Sequence, residues 1–188
     1  TLPILLYGND SQKEKYLPKL ATGEWMGCYC LTEPGAGSDA NSGKTKAVLT
    51  ENGKHYLITG QKMWISNAGF ADVFIVFARI EDDKNITAFI LDKGMEGITM
   101  GEEEYKLGLN SSSTRQVFFN DVKVPVKSLL GGRGNGFKIA MKIGSDVPSC
   151  LYNKNVFFSG YGQILTKAPK IPKISLLLIN PRKKLSTK

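Results

Sequence analysis

The sequence predicts a mainly β domain, folded as a small barrel or sandwich and flanked by a short N-terminal helix and a C-terminal tail of different character. From Trp25 to Asp121 the chain consists of short apolar segments bounded by Gly, Asn and Asp, which is typical of all-β domains. Asn52-Gly53 separates two such segments. This dipeptide favours a hairpin with a type I′ turn, because that turn needs positive φ at both central residues.

A short surface helix is predicted before the β region. The stretch from Asn9 to Leu20 begins with a residue type that caps helices well, and charged residues surround Tyr16 and Leu17. Pro18 is expected to end this helix, because proline lacks the backbone N–H and its ring clashes with the preceding turn.

Eight strands are predicted within the β region. The segment DVFIVFARI, residues 72–80, is almost continuously apolar and therefore typical of a strand buried on both faces. In contrast, KTKAVLTE, residues 44–51, mixes polar and apolar residues as a half-exposed strand does. The β region should end at Val124-Pro125, and a Gly-rich turn should lead into a helix near Phe137. The predicted strands are Met26–Thr32, Thr45–Thr50, Tyr56–Thr59, Lys62–Ser66, Val73–Ile80, Thr87–Leu91, Ile98–Glu103 and Gln116–Asn120.

Composition indicates one globular, soluble domain without a metal site. The 188 residues are 41% apolar, which is enough for one core, and no apolar run approaches the roughly 18 to 20 residues of a membrane span. A single histidine without paired Cys or His spacing argues against zinc. Cys28 and Cys30 should share one face of a strand rather than bridge. With Cys150 as the third cysteine, the sequence fits a reducing compartment.

The loop after the first strand is the first candidate for ligand binding. Residues 30–42 read CLTEPGAGSDANS, and Gly35 and Gly37 allow a tight turn whose N–H groups point outward beside the Ser38 hydroxyl. Such a loop can hold a phosphate or the polar edge of a ring. Taken alone, it is also compatible with a simple turn.

The second candidate is the segment QKMWISNAG, residues 61–69. Trp64 and Ser66 lie two apart on a predicted strand, so their side chains share a face. An aromatic ring beside a hydroxyl suits a planar redox cofactor. The alternative is a core Trp next to a surface Ser.

Four segments together resemble the acyl-CoA dehydrogenase family, in its order and with its spacings. They read CLTEPGAGSD, GQKMWISNAG, KLGLNSSSTRQVFFNDVKVP and GNGFKIAM, and the helix YGNDSQKEKYLPKLATGE that precedes them is also similar. The resemblance runs from about Leu5 to Met141. It implies four parts: residues 1–24 end an N-terminal helical domain, 25–130 form the middle β-domain, 131–141 begin a C-terminal helical domain, and 142–188 are a tail outside the family pattern.

The resemblance implies an FAD site on the β-domain. Backbone groups around Leu31 and Thr32 would bond the pyrimidine edge of the flavin, with the Thr32 hydroxyl assisting. Trp64 would pack on the ring, and Ser66 would bond the ring nitrogen that receives hydride. Ser38 would lie near the FAD pyrophosphate and the acyl-CoA substrate, while Glu33 and Asp39 would brace the loop. The FAD residues implied in this way are Tyr29, Cys30, Leu31, Thr32, Gly37, Ser38, Trp64, Ile65 and Ser66.

The implied reaction is α,β-dehydrogenation of a fatty acyl-CoA thioester. In the family a glutamate of the C-terminal helical domain takes the α proton, and nothing in this sequence matches that segment. We therefore expect a fragment of the enzyme, cut short at both ends, that contains no catalytic residue and is inactive alone. The full-length family implies an electron-transfer flavoprotein as partner, a homo-oligomer, and a cytoplasmic or mitochondrial matrix location.

The tail, residues 142–188, carries the whole net charge of +8, because it holds nine Lys and Arg against the single acid Asp146. Prolines and glycines break every window long enough for a packed helix. We interpret the tail as disordered or as the product of a shifted reading frame. For the chain as a whole, two alternatives to an enzyme fragment stay open. One is a non-catalytic β-domain fragment, and the other is a basic-tail protein that binds nucleic acid or an anionic membrane.

Overall fold

The computed structural model describes residues 1–37, 39–143, 156–159 and 164–167. Residues 1–144 form one compact unit, and the last two described segments belong to a second unit. Within the first unit the protein is mainly β, which confirms the predicted fold class. The tail at 142–188, predicted to lie outside the family pattern, is largely beyond the described residues and stays a prediction. Within it, strands β9, Val156–Ser159, and β10, Ile164–Lys167, pair antiparallel.

Three α-helices accompany the strands in the described part of the first unit: α1 is Leu2–Tyr7, α2 is Asp10–Thr22 and α3 is Gly136–Ile143. Helix α2 begins as predicted, because the Asn9 side chain accepts from the Gln12 N–H and the Gln12 side chain reciprocates in a capping box. The predicted stop at Pro18 is wrong.

Helix α2 continues through Pro18 to Thr22, and Gly23 caps it in the left-handed conformation at φ 78°. A proline inside a helix loses one backbone hydrogen bond. Packing on both sides of the proline offsets that loss, since buried Tyr16 and half-buried Leu20 contact the same apolar cluster. The Thr22 hydroxyl also donates to the Pro18 carbonyl at 3.1 Å. Tertiary contacts therefore override the local stop signal.

Eight strands form one open sheet in the order β6-β7-β3-β2-β4-β5-β8, with β1 paired parallel to β4. The sheet does not close into a barrel. All eight predicted segments lie wholly or partly in strands, but the two predicted at Tyr56–Thr59 and Lys62–Ser66 form one long strand. The two-residue strand β8 was not predicted. The strands are β1 Gly27–Cys30, β2 Lys46–Leu49, β3 His55–Ser66, β4 Val73–Ile80, β5 Thr87–Asp92, β6 Ile98–Glu103, β7 Thr114–Pro125 and β8 Leu129–Leu130.

Strand β4 is buried on both faces, as its apolar sequence predicts. Alternate side chains, from Phe74 to Ile80, enter one core with β3 and β7. The others, from Val73 to Phe77, enter a second core with the three helices. Because side chains of a strand alternate between faces, this one strand separates the two cores. Strand β2 is half-exposed, as predicted, with only Ala47 buried.

The hairpin between β2 and β3 is confirmed, but its predicted turn type is wrong. The Gly53 N–H donates to the Thr50 carbonyl at 2.8 Å, so Glu51 and Asn52 are the central residues of the turn. Neither has positive φ, whereas Gly53 follows at φ 66°. The Asn52 side chain accepts hydrogen bonds from the Lys54 N–H and the Thr50 hydroxyl, which holds this alternative turn in place.

Gly60 allows β3 to pass close to the start of β2. Its φ is 151°, and an added Cβ would lie 2.7 Å from the Thr45 Cα and 2.9 Å from the Thr45 Cβ. The pairing of β3 with β7 shifts register between Ile58 and Gly60. Glycine is therefore required at this point both by its backbone conformation and by the space available.

We expect Gly60→Ala to lower the free energy of unfolding by about 1 to 3 kcal/mol, because strained backbone and a contact with Thr45 coincide. The measurement is the urea unfolding midpoint. Gly108→Ala is the matched control, since an added Cβ there meets nothing within 4 Å and the φ of Gly108 is not positive. Equal midpoints for the two variants would contradict this account of Gly60.

Candidate functional site

An exposed tryptophan on a bulge of β3 marks the candidate site. The register between β3 and β7 pairs Lys62 with Val117 but Ile65 with Arg115, so β3 carries one extra residue between these pairs. Trp64 lies in this bulge with φ 57° and 61% of its surface exposed. A bulky residue held in left-handed backbone with its ring in solvent is strained, and such strain is concentrated at ligand sites.

Ser66 follows on the same side of the strand. Both Trp64 and Ser66 are exposed, while Ile65 between them is 2% exposed and belongs to the core. The prediction that these two side chains share a face is therefore confirmed. The alternative of a core tryptophan is excluded by its exposure.

The loop after β1 lies against this bulge. The Met63 N–H donates to the Thr32 carbonyl at 2.9 Å, which joins the loop to the residue before Trp64. Two backbone hydrogen bonds between Glu33 and Ala36, of 3.0 and 3.1 Å, close a tight turn over Pro34-Gly35. The structure thus brings the two candidate stretches of the sequence together.

A buried ion pair lies beneath the loop and the bulge. Lys62 is 2% exposed and Glu33 is 6% exposed, and the Lys62 Nζ lies 2.7 Å from the Glu33 Oε1. The same Nζ donates to the Phe77 carbonyl at 2.6 Å and to the Leu31 carbonyl at 3.3 Å. The Glu33 carboxylate also accepts from the backbone N–H groups of Lys44 and Thr45. The pair therefore connects β3 and β4 with the loop after β1 and the residues just before β2.

The charges of this pair are set by burial and by their hydrogen bonds. Burial disfavours the ionised carboxyl of Glu33, but the Lys62 charge and the N–H donors outweigh it and hold the Glu33 pKa below its ordinary value. Burial lowers the pKa of Lys62, and Glu33 opposes this shift. Three acceptors surround the Lys62 Nζ, which matches the three N–H bonds of a charged ammonium.

The predicted bracing role of Glu33 is confirmed by these bonds, whereas Lys62 was not singled out in the sequence. The sequence does contain a pattern that indicates the burial of Lys62. Tyr56 and Ile58 point into the core, and the period of two continues through Gly60 to Lys62. A lysine on the core face of a strand needs a buried acid as partner.

The predicted FAD residues in and after β1 differ in their solvent exposure. Thr32 and Leu31 are half-buried, and Gly37 is exposed. The Cys30 side chain is buried with its Sγ 3.6 Å from that of Cys28, so these cysteines share one face as predicted. Cys30 and Ile65 are almost fully buried, at 0% and 2% exposed, so any contact with a ligand would be made by their backbone. Ser38 lies outside the described residues.

Tyr29 faces the helices rather than the bulge. Its ring meets Phe77 edge-on at 5.0 Å between ring centres, in the core shared with the helices. Burial raises the pKa of Tyr29 above its ordinary value. Its hydroxyl is buried and has no hydrogen-bond partner among the described residues. The roles assigned to all nine FAD residues stay predictions.

A second ion pair, exposed at the surface, organises the loop between β6 and β7. The Glu103 Oε1 lies 2.9 Å from the Arg115 Nε, and the same carboxylate accepts from the Ser113 hydroxyl and the Thr114 N–H. Together these bonds lower the pKa of Glu103 to about 2. Beyond this pair, Tyr105, Leu107 and Leu109 are more than 80% exposed.

The described residues restrict the kinds of chemistry that this site supports. They hold no group of three or more His, Cys, Asp or Glu arranged to bind a metal ion. No helix described here combines the length and apolar character needed to cross a bilayer. An exposed indole beside a hydroxyl and a loop of backbone groups instead fits a planar ligand with a polar edge.

Comparisons with known proteins identify the family of the β region. The family described as "Acyl-CoA dehydrogenase, middle domain" matches residues 28–122. A probable acyl-CoA dehydrogenase of Bacillus subtilis is 50% identical over 143 residues, which cover 76% of this chain and 24% of the relative. The human mitochondrial very long-chain specific acyl-CoA dehydrogenase is 51% identical over 148 residues, which cover 74% of this chain and 23% of the relative.

A solved structure shares both fold and sequence. The acyl-CoA dehydrogenase of Bacillus anthracis, complexed with FAD, superposes with a TM-score of 0.74 at 51% identity and covers 77% of this chain and 24% of that structure. The chain thus spans about a quarter of the length of the curated relatives described above.

We expect Glu33→Gln to make the chain less stable at neutral pH and to weaken its sensitivity to acid. Leaving Lys62 buried and unpaired should cost about 3 to 5 kcal/mol of unfolding free energy. The Glu33 pKa is lower in the folded chain than its ordinary value of 4.5. On acidification the unfolded chain therefore binds this proton first, and stability falls from about that pH down through the folded pKa.

The measurement is the free energy of unfolding by urea at a series of pH values. It should fall less steeply below about pH 5 in Glu33→Gln than in the unchanged chain. Glu24→Gln, which removes an exposed carboxylate paired with Lys19, is the control and should keep the original slope. Parallel slopes for all three proteins would contradict the account.

Proposed function

The chain belongs to the acyl-CoA dehydrogenase family, and we propose on this premise that residues 25–130 are its middle β-domain and bind FAD at the Trp64 bulge. The observation that carries the proposal is the placement of Trp64. Its ring is exposed on strained backbone, and the Met63 N–H ties that backbone to the Thr32 carbonyl. A ligand that covers the ring would explain both the strained backbone and the exposure of the indole.

The residues of this face fit a flavin. Trp64 would pack on one side of the ring and exclude water from it, and the Ser66 hydroxyl would donate to the ring nitrogen that receives hydride. Backbone groups of Leu31 and Thr32 would bond the pyrimidine edge, and Ser38 would lie near the pyrophosphate. When bound, FAD supplies the acceptor for the hydride that leaves the substrate.

We propose a fatty acyl-CoA thioester as the substrate of the complete enzyme, oxidised between its α and β carbons. The thioester makes the α proton acidic enough for a carboxylate base to remove. Glu33 is not that base, because its oxygens accept from Lys62, Lys44 and Thr45 and it lies buried beneath the loop. Since nothing in this sequence matches the segment that carries the glutamate base in the family, we propose that a part of the enzyme outside this chain removes the proton.

The partners of the complete enzyme follow from the same proposal. Electrons would pass to an electron-transfer flavoprotein, and the complete enzyme would be a homo-oligomer. The human relative is mitochondrial by name, and another relative is bacterial. The mitochondrial matrix or the cytoplasm is therefore the proposed location.

The first test of this proposal measures FAD binding by the 188-residue chain and its variants, by flavin fluorescence titration. Trp64→Ala should weaken binding most, since stacking of a planar ring on an aromatic side chain is worth about 1 to 3 kcal/mol. Ser66→Ala should cost about 0.5 to 1.5 kcal/mol, the worth of one hydrogen bond. Because both side chains are exposed, neither variant should lose the fold.

His55→Ala is the control for these variants. His55 begins β3 at the far end of the strand and should leave FAD affinity unchanged. If the chain bound FAD and both site variants bound it equally well, the assignment of this face to the flavin would be wrong. Failure of the unchanged chain to bind FAD would contradict the proposal itself.

The second test concerns catalysis by this chain alone. We expect no dehydrogenation of butyryl-CoA or palmitoyl-CoA in the presence of FAD and an artificial electron acceptor, because general-base catalysis is worth about 100 to 10,000-fold and nothing in this sequence matches the segment that carries the base in the family. Measurable turnover by the pure protein would overturn the expectation that the base lies elsewhere.

A further inference from the structure

We infer that the buried ion pair of Lys62 and Glu33 is a positioning device, which sets the separation between the Thr32 loop and the Trp64 bulge. This inference rests on the proposed flavin face and names the residues that shape it from beneath. Neither side chain would touch the cofactor, because both are almost fully buried. Their effect would pass through the backbone that they hold.

The contacts of Lys62 hold the site at three points of the chain. Its Nζ binds the Leu31 carbonyl and the Glu33 carboxylate, which lie on either side of Thr32 in the chain. Its own backbone immediately precedes Met63, whose N–H donates to the Thr32 carbonyl. One side chain therefore fixes the loop on both sides of Thr32 and fixes the strand at the point where the bulge begins.

Strand β4 provides the fixed reference for this arrangement. The Lys62 Nζ donates to the Phe77 carbonyl at 2.6 Å, and β4 is the most completely buried strand of the sheet. On the other side, the Glu33 carboxylate is held by the N–H groups of Lys44 and Thr45 at the start of β2. Hydrogen bonds thus attach the loop to β4 and to the residues just before β2, neither of which contains a residue of the proposed flavin face.

Stability alone does not account for the pair. Well-packed apolar side chains of similar volume commonly stabilise a core as well as a buried ion pair does, or better. An apolar pair would nevertheless leave the carbonyls of Leu31 and Phe77 without this donor. An ammonium on a long side chain offers three N–H bonds, and here they reach the loop on both sides of Thr32 and strand β4 at once.

The experiment separates positioning from stability with two variants. Lys62→Met removes the cation and leaves Glu33 buried and unpaired. The double variant Lys62→Met with Glu33→Gln removes both charges. Lys15→Met, which breaks the exposed pair of Lys15 with Asp92, is the matched control. Three quantities are measured on the 188-residue chain: the urea unfolding midpoint, hydrogen exchange of the Met63 amide without FAD, and the dissociation constant for FAD.

We expect the double variant to recover most of the stability that Lys62→Met loses, because no buried charge is left unpaired. Its Met63 amide should still exchange faster and its FAD binding should still be weaker, each by about tenfold, as for the loss of one hydrogen bond to a charged group. The control should match the unchanged chain in all three measurements.

Two results would overturn the inference. The first is a double variant whose Met63 exchange equals that of the unchanged chain, since the pair would then only stabilise the fold. The second is a double variant that does not fold. If the unchanged chain bound no FAD, the proposed function would fail, while Met63 exchange would still decide whether the pair positions the loop.

Discussion

Lys62 and Glu33 are the only charged side chains that are buried among the described residues, and the arrangement of the site depends on their contact. An isolated charge in a protein core is strongly unfavourable, so each requires the other in one geometry. That geometry needs the β1 loop, the start of β2, β3 and β4 to meet at one point. The requirement for paired charges therefore becomes a requirement on how four separate segments are placed.

Strand β4 makes this meeting point possible because it is covered on both faces. Helices α1, α2 and α3 pack against Val73, Ile75 and Phe77, while β3 and β7 cover the opposite side. A strand packed on both faces is held by its neighbours, and a carbonyl on it gives the lysine an acceptor in the interior. The bulge at Trp64 can then hold strained backbone at the surface, because its base is anchored to a strand in the interior.

Much of the fold could be predicted from local patterns. The burial of β4 follows from its continuous apolar sequence, and the start of α2 follows from the Asn9 cap. The predicted stop at Pro18 and the type I′ turn at Asn52-Gly53 were wrong for a common reason. In each case a residue with a strong local preference is overruled by contacts that the local pattern does not contain. The helix is held by core packing beyond the proline, and the turn by the Asn52 side chain.

The sequence by itself determined most of the strands, the hairpin and the two motifs that meet at the candidate site, because residue period and capping are properties of neighbouring residues. Only the tertiary structure decided that Lys62 is paired with Glu33, 29 residues away, and that an extra residue in β3 turns Trp64 into solvent. Pairing and register depend on which segments lie side by side. No local pattern encodes that choice, since the free energy that selects it arises from burying two charges together.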